Sequence, residues 1–223
     1  MNKTTICVIS DTHSKHNQIK YLPDADVIIH CGDITTMGYE HEIRNFFNWY
    51  SNLYQYEYKI CIAGNHDWLF ESNRMIVKEL LPDNIIYLED SEIIINDLKF
   101  YGTPVSKMFF NWAFNRHENK LKQHWSNIPD DTDILITHEL PFGILDYSKK
   151  INENIGSKSL YKQVSKKIKP LVHTFGHNHN GHGILFENNI TYINASILND
   201  NYTIQNKPIL FEIENNKVNI LKY

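Results

Sequence analysis

Five short runs of β-branched, aliphatic and aromatic residues recur along the 223-residue chain, and each is broken at once by a polar signature. TICVIS (5–10) leads into SDTH, DVIIHC (26–31) into GDIT, YKICIA (58–63) into GNHD, DILIT (133–137) into THE, and LVHTF (171–175) into GHNH. The runs are continuously apolar and do not alternate, which is the pattern of strands buried on both faces. Such strands need helices over them, and the loops leaving their carboxyl ends gather at one edge of the sheet, where ligands bind. The polar signatures are therefore expected to converge.

Helices lie between several of the runs. In YEHEIRNFFNWYSNL (39–53), Ile43, Phe46, Phe47, Tyr50 and Leu53 fall at helical spacing. NRMIVKELL (73–81) and SKSLYKQVSKKIK (157–169), ended by Pro82 and Pro170, are two more. Hairpins are signalled where strand-like runs flank Asn96-Asp97, Asn188-Asn189 and Asn215-Asn216. The mixture predicts an α/β fold with antiparallel as well as parallel strands. The length suits a single domain over 1–223.

A net charge of −4 without a dense Lys/Arg block argues against stable nucleic-acid binding. No apolar stretch approaches membrane-spanning length and the start MNKTTICVISD does not read as a signal peptide, so the expectation is a cytoplasmic protein with no membrane partner. Cys7, Cys31 and Cys61 are odd in number, lack CxxC spacing and lie on strands, which predicts buried reduced thiols.

Taken singly, an Asp in a turn or a His at a strand end is more often structural than functional. Taken together, Asp11, His13, Asp33, Asn65, His138, His177 and His179 offer oxygen and nitrogen donors, with no thiolate, for a pair of divalent metals. In DTH and in GHNH the donors stand two apart, so an extended backbone would project them to one side toward neighbouring metals. Gly32, Gly64 and Gly176, each just ahead of a donor, are expected to turn the backbone there.

The ordered set DTH, GD, GNHD, TH and GHNH resembles the calcineurin-like metallophosphoesterase superfamily. DVIIHCGDIT, YLEDSEI, FYGTP, NWAFNR, DTDILITH and TYINAS are similar to its small metallophosphoesterase-domain-containing phosphodiesterases. The resemblance implies a four-layer α/β/β/α sandwich of two mixed sheets. It implies one ion on Asp11, His13, Asp33 and His179 and a second on Asp33, Asn65, His138 and His177, with Asp33 as the bridge. His66 would protonate the leaving oxygen and Asp67 would orient His66. The donor chemistry admits Mn, Fe, Zn, Co or Ni as the two divalent metal ions.

Superfamily phosphatases carry an arginine soon after the GD motif, where it clamps a terminal phosphate. Here none occurs until Arg44, inside a predicted helix, which favours a phosphodiester. Repair nucleases of the superfamily add a DNA-capping domain for which the chain has no length. The implied activity is hydrolysis of small or cyclic-nucleotide-type phosphodiesters, with the phosphoester as a small-molecule partner and the oligomeric state open. A small-metabolite phosphatase or pyrophosphatase is the alternative, and a non-catalytic module of the same fold ranks last because His66 and every ligand position are filled.

The aromatic segment MFFNWAFNR (108–116) suggests a pocket wall of Phe110, Trp112 and Phe114, with Asn111 and Arg116 on polar atoms of the substrate. The resemblance adds Asn194, as a further substrate contact, and Ser196 near the site. His16, His41, His117 and His124 are expected at the surface, and His30 and His173 as structural residues on strands. His182 stands between a substrate contact and a surface position.

Overall fold

The structure, a computed structural model, describes residues 3–222. In chain order β1 (Thr4–Ile9), β2 (Val27–Cys31), β3 (Tyr58–Ile62) and β4 (Ile86–Tyr87) run parallel to one another. A hairpin of β5 (Ser91–Ile95) and β6 (Leu98–Thr103) follows, then β7 (Ile134–Thr137), β8 (Val172–Phe175) and the hairpin of β9 (Gly183–Glu187) and β10 (Ile190–Asn194). β11 (Ile209–Glu214) and β12 (Lys217–Leu221) form the last hairpin. One mixed sheet has the order β12-β11-β1-β2-β3-β4 and the other β9-β10-β8-β7-β6-β5.

The two sheets pack face to face. Ile6, Val8, Ile29, Ile60 and Ile62 of the first meet Phe100, Ile134, Ile136 and Ile193 of the second in one buried cluster. The alternate residues of the central strands face helices, which is why these strands are apolar on both sides. Cys7, Ile9, Ile28 and Cys61 pack against Ile43, Phe46, Phe47 and Tyr50 of α1 (Glu40–Ser51), with Phe70 of α2 (Trp68–Ser72) and Val77 of α3 (Arg74–Leu80). Leu135, Phe175 and Tyr192 do so against Leu121 and Trp125 of α4 (Glu118–Trp125) and Leu160 of α5 (Lys158–Gln163). The architecture is the expected four-layer α/β/β/α sandwich. The three cysteines are free and buried.

Local chemistry accounts for the element ends. Asn96-Asp97, Asn188-Asn189 and Asn215-Asn216 all adopt positive φ, from 50° to 64°, as two-residue turns matched to strand twist require. Ser157 caps α5 by accepting from the Leu160 N–H at 3.2 Å. The helical path then widens over Val164–Ile168 and stops at Lys169, left-handed at φ 51°, before Pro170. No helix among the described residues is long and apolar enough to cross a membrane.

Candidate active site

The exits of β1, β2, β3, β7 and β8 interlace. Asp11 N–H donates to the Gly32 carbonyl at 3.0 Å and His13 N–H to that of Asp33 at 3.1 Å. Asp33 Oδ1 accepts from His66 N–H at 2.8 Å, and Asp11 accepts from His177 N–H at 3.0 Å. The expected extended path through DTH and GHNH is not what forms: Asp11, His13 and His177 have φ of 54°, 40° and 68°. This left-handed backbone is costly for non-glycine residues and is sustained by the cross-loop hydrogen bonds. The glycines also need a revised reason. Of Gly32, Gly64 and Gly176, only Gly32 has positive φ, 93°. A Cβ on Gly64 would strike Asp33 and His138, and one on Gly176 would strike Ser10 and Asp11, so these two are needed for close approach.

Two groups of ligating atoms result. Those of Asp11, His13 and His179 lie within 4.8 Å of one another, as do those of Asp33, His138 and His177. Asp33 faces both sides: its Oδ2 is 3.5 Å from His13 Nε2 and its Oδ1 3.4 Å from His138 Nε2. Asn65 Oδ1 lies 3.0 Å from the same His138 nitrogen. His138 Nδ1 donates to the Cys31 carbonyl at 2.9 Å and His179 Nδ1 to that of Asn199 at 3.1 Å, which leaves each Nε2 as the nitrogen a metal could use. Ser196 Oγ donates to Asp11 Oδ2 and holds that carboxylate in place.

These residues fit divalent metals. Both ring nitrogens of His13 are buried without a hydrogen-bond partner, a costly state that a cation relieves. Burial pushes His13 well down, and His177 to about 3, so both are neutral and able to ligate. At His138 burial is outweighed by Asp33, Asp11 and the Cys31 carbonyl, which lift it to about 10. A proton is thus favoured where a metal would supply positive charge.

His66 stands beside the Asp33–His13 pair, its ligating atom within 4.8 Å of theirs. Its Nδ1 donates to the Thr36 carbonyl at 2.7 Å, and its ring stacks on Trp112 with centroids 4.1 Å apart. The expectation that Asp67 orients this imidazole is corrected. The fully buried Asp67 carboxylate accepts from the backbone N–H groups of Gly64, Ile34 and Thr35 at 2.7 to 3.1 Å and from Thr35 Oγ1 at 2.7 Å. It ties the GNHD loop to the GDIT loop, and burial beside Asp33 pushes it up to about 6. Thr36 is the orienting residue that sequence reasoning missed. Its loop is gathered by Glu42 of α1, which accepts from Thr36, Met37 and Tyr39 N–H groups at 3.0 to 3.2 Å.

A calcineurin-like phosphoesterase profile matches residues 4–181. The chain belongs to the calcineurin-like phosphoesterase family. Human metallophosphoesterase domain-containing protein 1 is 36% identical over 233 residues, covering 94% of this chain and 71% of that protein. A UPF0046 protein of Caenorhabditis elegans is 35% identical over 222 residues, covering 93% and 74%. A crystal structure 12% identical to the chain superposes with a TM-score of 0.73 over 99% of both, a likeness of fold. The protein is by class a phosphoric ester hydrolase of a family that uses divalent metals.

The rim of this phosphoesterase departs from expectation. Trp112 reaches the site, but Asn111 and Phe110 are exposed and Phe114 is buried in the helix-side core. Arg116 is not free for substrate: its guanidinium pairs with Glu71 at 2.9 Å and ties the loop to α2. Nor does Asn194 face substrate, for it is fully buried, donating to the Asn178 carbonyl at 2.9 Å and accepting from Ser196 N–H at 3.1 Å. It shapes the GHNH loop from behind. His30 and His173 are buried against Thr12 and Thr137 as structural residues. His41 and His117 are exposed, whereas His124 is half-buried against Asp90 and Thr103. His16 is fully buried, packed on Phe46 and Trp49, because its helical turn lies over α1. His182 is half-buried.

Proposed function

We propose that this phosphoesterase is a cytoplasmic phosphodiesterase that hydrolyses small or cyclic-nucleotide-type phosphodiesters with two divalent metal ions. The observation that carries the reading is the position of Asp33, whose two oxygens face the separate His13 and His138 sides of the cluster. One ion would be held by Asp11, His13, Asp33 and His179, the other by Asp33, Asn65, His138 and His177. Bound there, the ions would activate water and neutralise phosphoryl oxygens during an in-line displacement. Their identity is open among Mn, Fe, Zn, Co and Ni, with manganese the first to test.

The chain's own residues supply the rest. With Nδ1 committed to the Thr36 carbonyl, the free nitrogen of His66 is Nε2, which in the imidazolium form gives its proton to the departing ester oxygen. Stacking on Trp112 restricts the ring to that direction. The neutral states of His13 and His177 keep their lone pairs available. The diester preference is supported by the commitment of Arg44 to Glu40 and of Arg116 to Glu71, which takes both guanidiniums away from a terminal phosphate. The partner is the small phosphoester itself, with no nucleic-acid or membrane partner.

The test is a panel of aryl phosphodiesters, cyclic nucleotides and matched monoesters, assayed with each metal after metal analysis of the purified protein. Diester turnover above monoester turnover, with two ions per chain, is the expected result. A monoester preference would convert the reading to a small-metabolite phosphatase, and full metal occupancy without turnover on any ester would leave an interaction module.

A further inference from the structure

Beyond the expected residues, one aromatic side chain stands against the metal-site histidines from a loop that no motif marks. The ring of Tyr202 has its centroid 5.0 Å from that of His13 and 5.0 Å from that of His179, with near-perpendicular planes. The position is built. Tyr202 takes a left-handed φ of 56°, unusual for a bulky residue. Its N–H donates to the Asn199 carbonyl at 2.8 Å, and Asn199 Oδ1 accepts from Asn201 and Thr203 N–H groups and from Thr203 Oγ1 at 2.8 to 3.1 Å. Lys15 Nζ donates to the Tyr202 carbonyl. The same Asn199 carbonyl receives His179 Nδ1, so one loop sets both a metal-site ring and the tyrosine beside it. Tyr202 is nonetheless 41% exposed, which leaves part of the ring for a ligand.

Trp112 and Tyr202 therefore end a row of rings. Trp112 lies on His66, His66 is 4.6 Å from His13, and His13 meets Tyr202. The two histidines in the middle are those whose ligating atoms cluster with Asp33, so the reacting phosphorus belongs between the two aromatic walls. Next to Tyr202, Thr203 and Ile204 begin a cleft of about 730 Å³, whose other walls include Gln18, Lys20, Tyr21 and Asn206. That volume falls in the range of small-molecule pockets and is ample for a nucleoside.

We propose that Tyr202 is a specificity-determining residue, and that the substrate is a linear phosphodiester bearing a flat aromatic group, such as a nucleoside, on each ester oxygen. The group that leaves lies on the Trp112 side, where His66 stands; the group retained on phosphorus packs on Tyr202 and extends toward the cleft. Water adds to phosphorus and releases one proton to solvent, the bond to the leaving oxygen breaks, and that oxygen takes the His66 proton, giving one alcohol and one monoester. This inference rests on the phosphodiesterase reading and narrows it, because a cyclic diester carries only one flat group.

Bis(p-nitrophenyl) phosphate and methyl p-nitrophenyl phosphate share a leaving group and differ in the retained one. In the metal-loaded enzyme, Tyr202→Ala is expected to lower the ratio of kcat/KM for the bis-aryl over the methyl ester by about tenfold, within the range for loss of one stacking contact. Tyr202→Phe keeps the ratio, and metal content stays at the wild-type level in both. An equal fall on both substrates, or an unchanged ratio, overturns the assignment. Binding separates this inference from the reading beneath it. Calorimetry with diphenyl phosphate and methyl phenyl phosphate should show tighter binding of the former to wild type and no preference in Tyr202→Ala, whether or not the protein turns over. Wild type without that preference overturns the inference even when diesters are hydrolysed. The preference without any turnover sinks the phosphodiesterase reading alone.

Discussion

On the floor of the site several side chains have a second tie: His138 to the Cys31 carbonyl, His179 to that of Asn199, Asp11 to Ser196 and the His177 N–H. On the rim Trp112 and Tyr202 touch the histidines through ring contacts alone. The floor is buried and polar, so each donor needs a partner of fixed type and direction, and few residue types can serve. The rim is half-exposed and aromatic, where shape matters and no donor type restricts the residue. The contrast teaches that metal chemistry leaves a strict residue signature, whereas substrate selection leaves a loose one.

The most severe way to break the floor is Asp33→Asn, because Asp33 faces both groups. Both metals should be lost together and activity should fall to background; full occupancy by metal analysis would refute the shared role. His66→Ala should keep the metals and lose turnover by about 10²–10⁴-fold. That loss should shrink as the leaving group becomes less basic. A uniform loss across a leaving-group series would mean that His66 positions phosphate and is not the proton donor.

Asp67→Asn acts on the joint between the floor loops and not on proton transfer. Placing an amide –NH₂ among three backbone N–H donors should destabilise the fold by about 1–3 kcal/mol, read by urea denaturation. A leaving-group dependence in this variant would restore the orienting role first expected of Asp67.

Behind the floor, burial lowers His16 to about 4 and His30 and His173 to about 3. Their folded-state values lie below the unfolded value near 6.5, so the unfolded chain binds protons first as pH falls. Stability is full above about pH 6.5 and declines on acidification toward pH 4 and below, each histidine adding about 1.4 kcal/mol per pH unit within its window. His16→Phe should flatten this acid limb, and an unchanged limb would exclude His16 from it. The smallest effect belongs to the rim: Arg116→Ala should change kcat/KM by less than about twofold, since its half-exposed pair with Glu71 contributes little. A larger loss would return Arg116 to the substrate.

The strands, the hairpin turns and the metal-donor set were legible because each rests on a local rule. Continuous apolar runs mark doubly covered strands, and paired Asn or Asp residues tolerate the positive φ of tight turns. The role that the resemblance implied for Asp67 fails because the two neighbours part: Asp67 turns inward while His66 turns to Thr36. Arg116 and Phe114 were misread because a shared segment was taken for a shared face, and Asn194, brought in by the resemblance, turns to the Asn178 carbonyl.

By itself the sequence determined the layered α/β class, the edge where the strand exits meet, and the donor chemistry of that edge, since all three follow from periodicity and residue type. Only the tertiary structure decided which oxygen of Asp33 faces which histidine, that Thr36 holds His66, and that Tyr202 closes one wall. Those contacts join loops far apart in the chain, and a backbone carbonyl or a ring edge at a loop tip carries no residue signature from which its partner can be read.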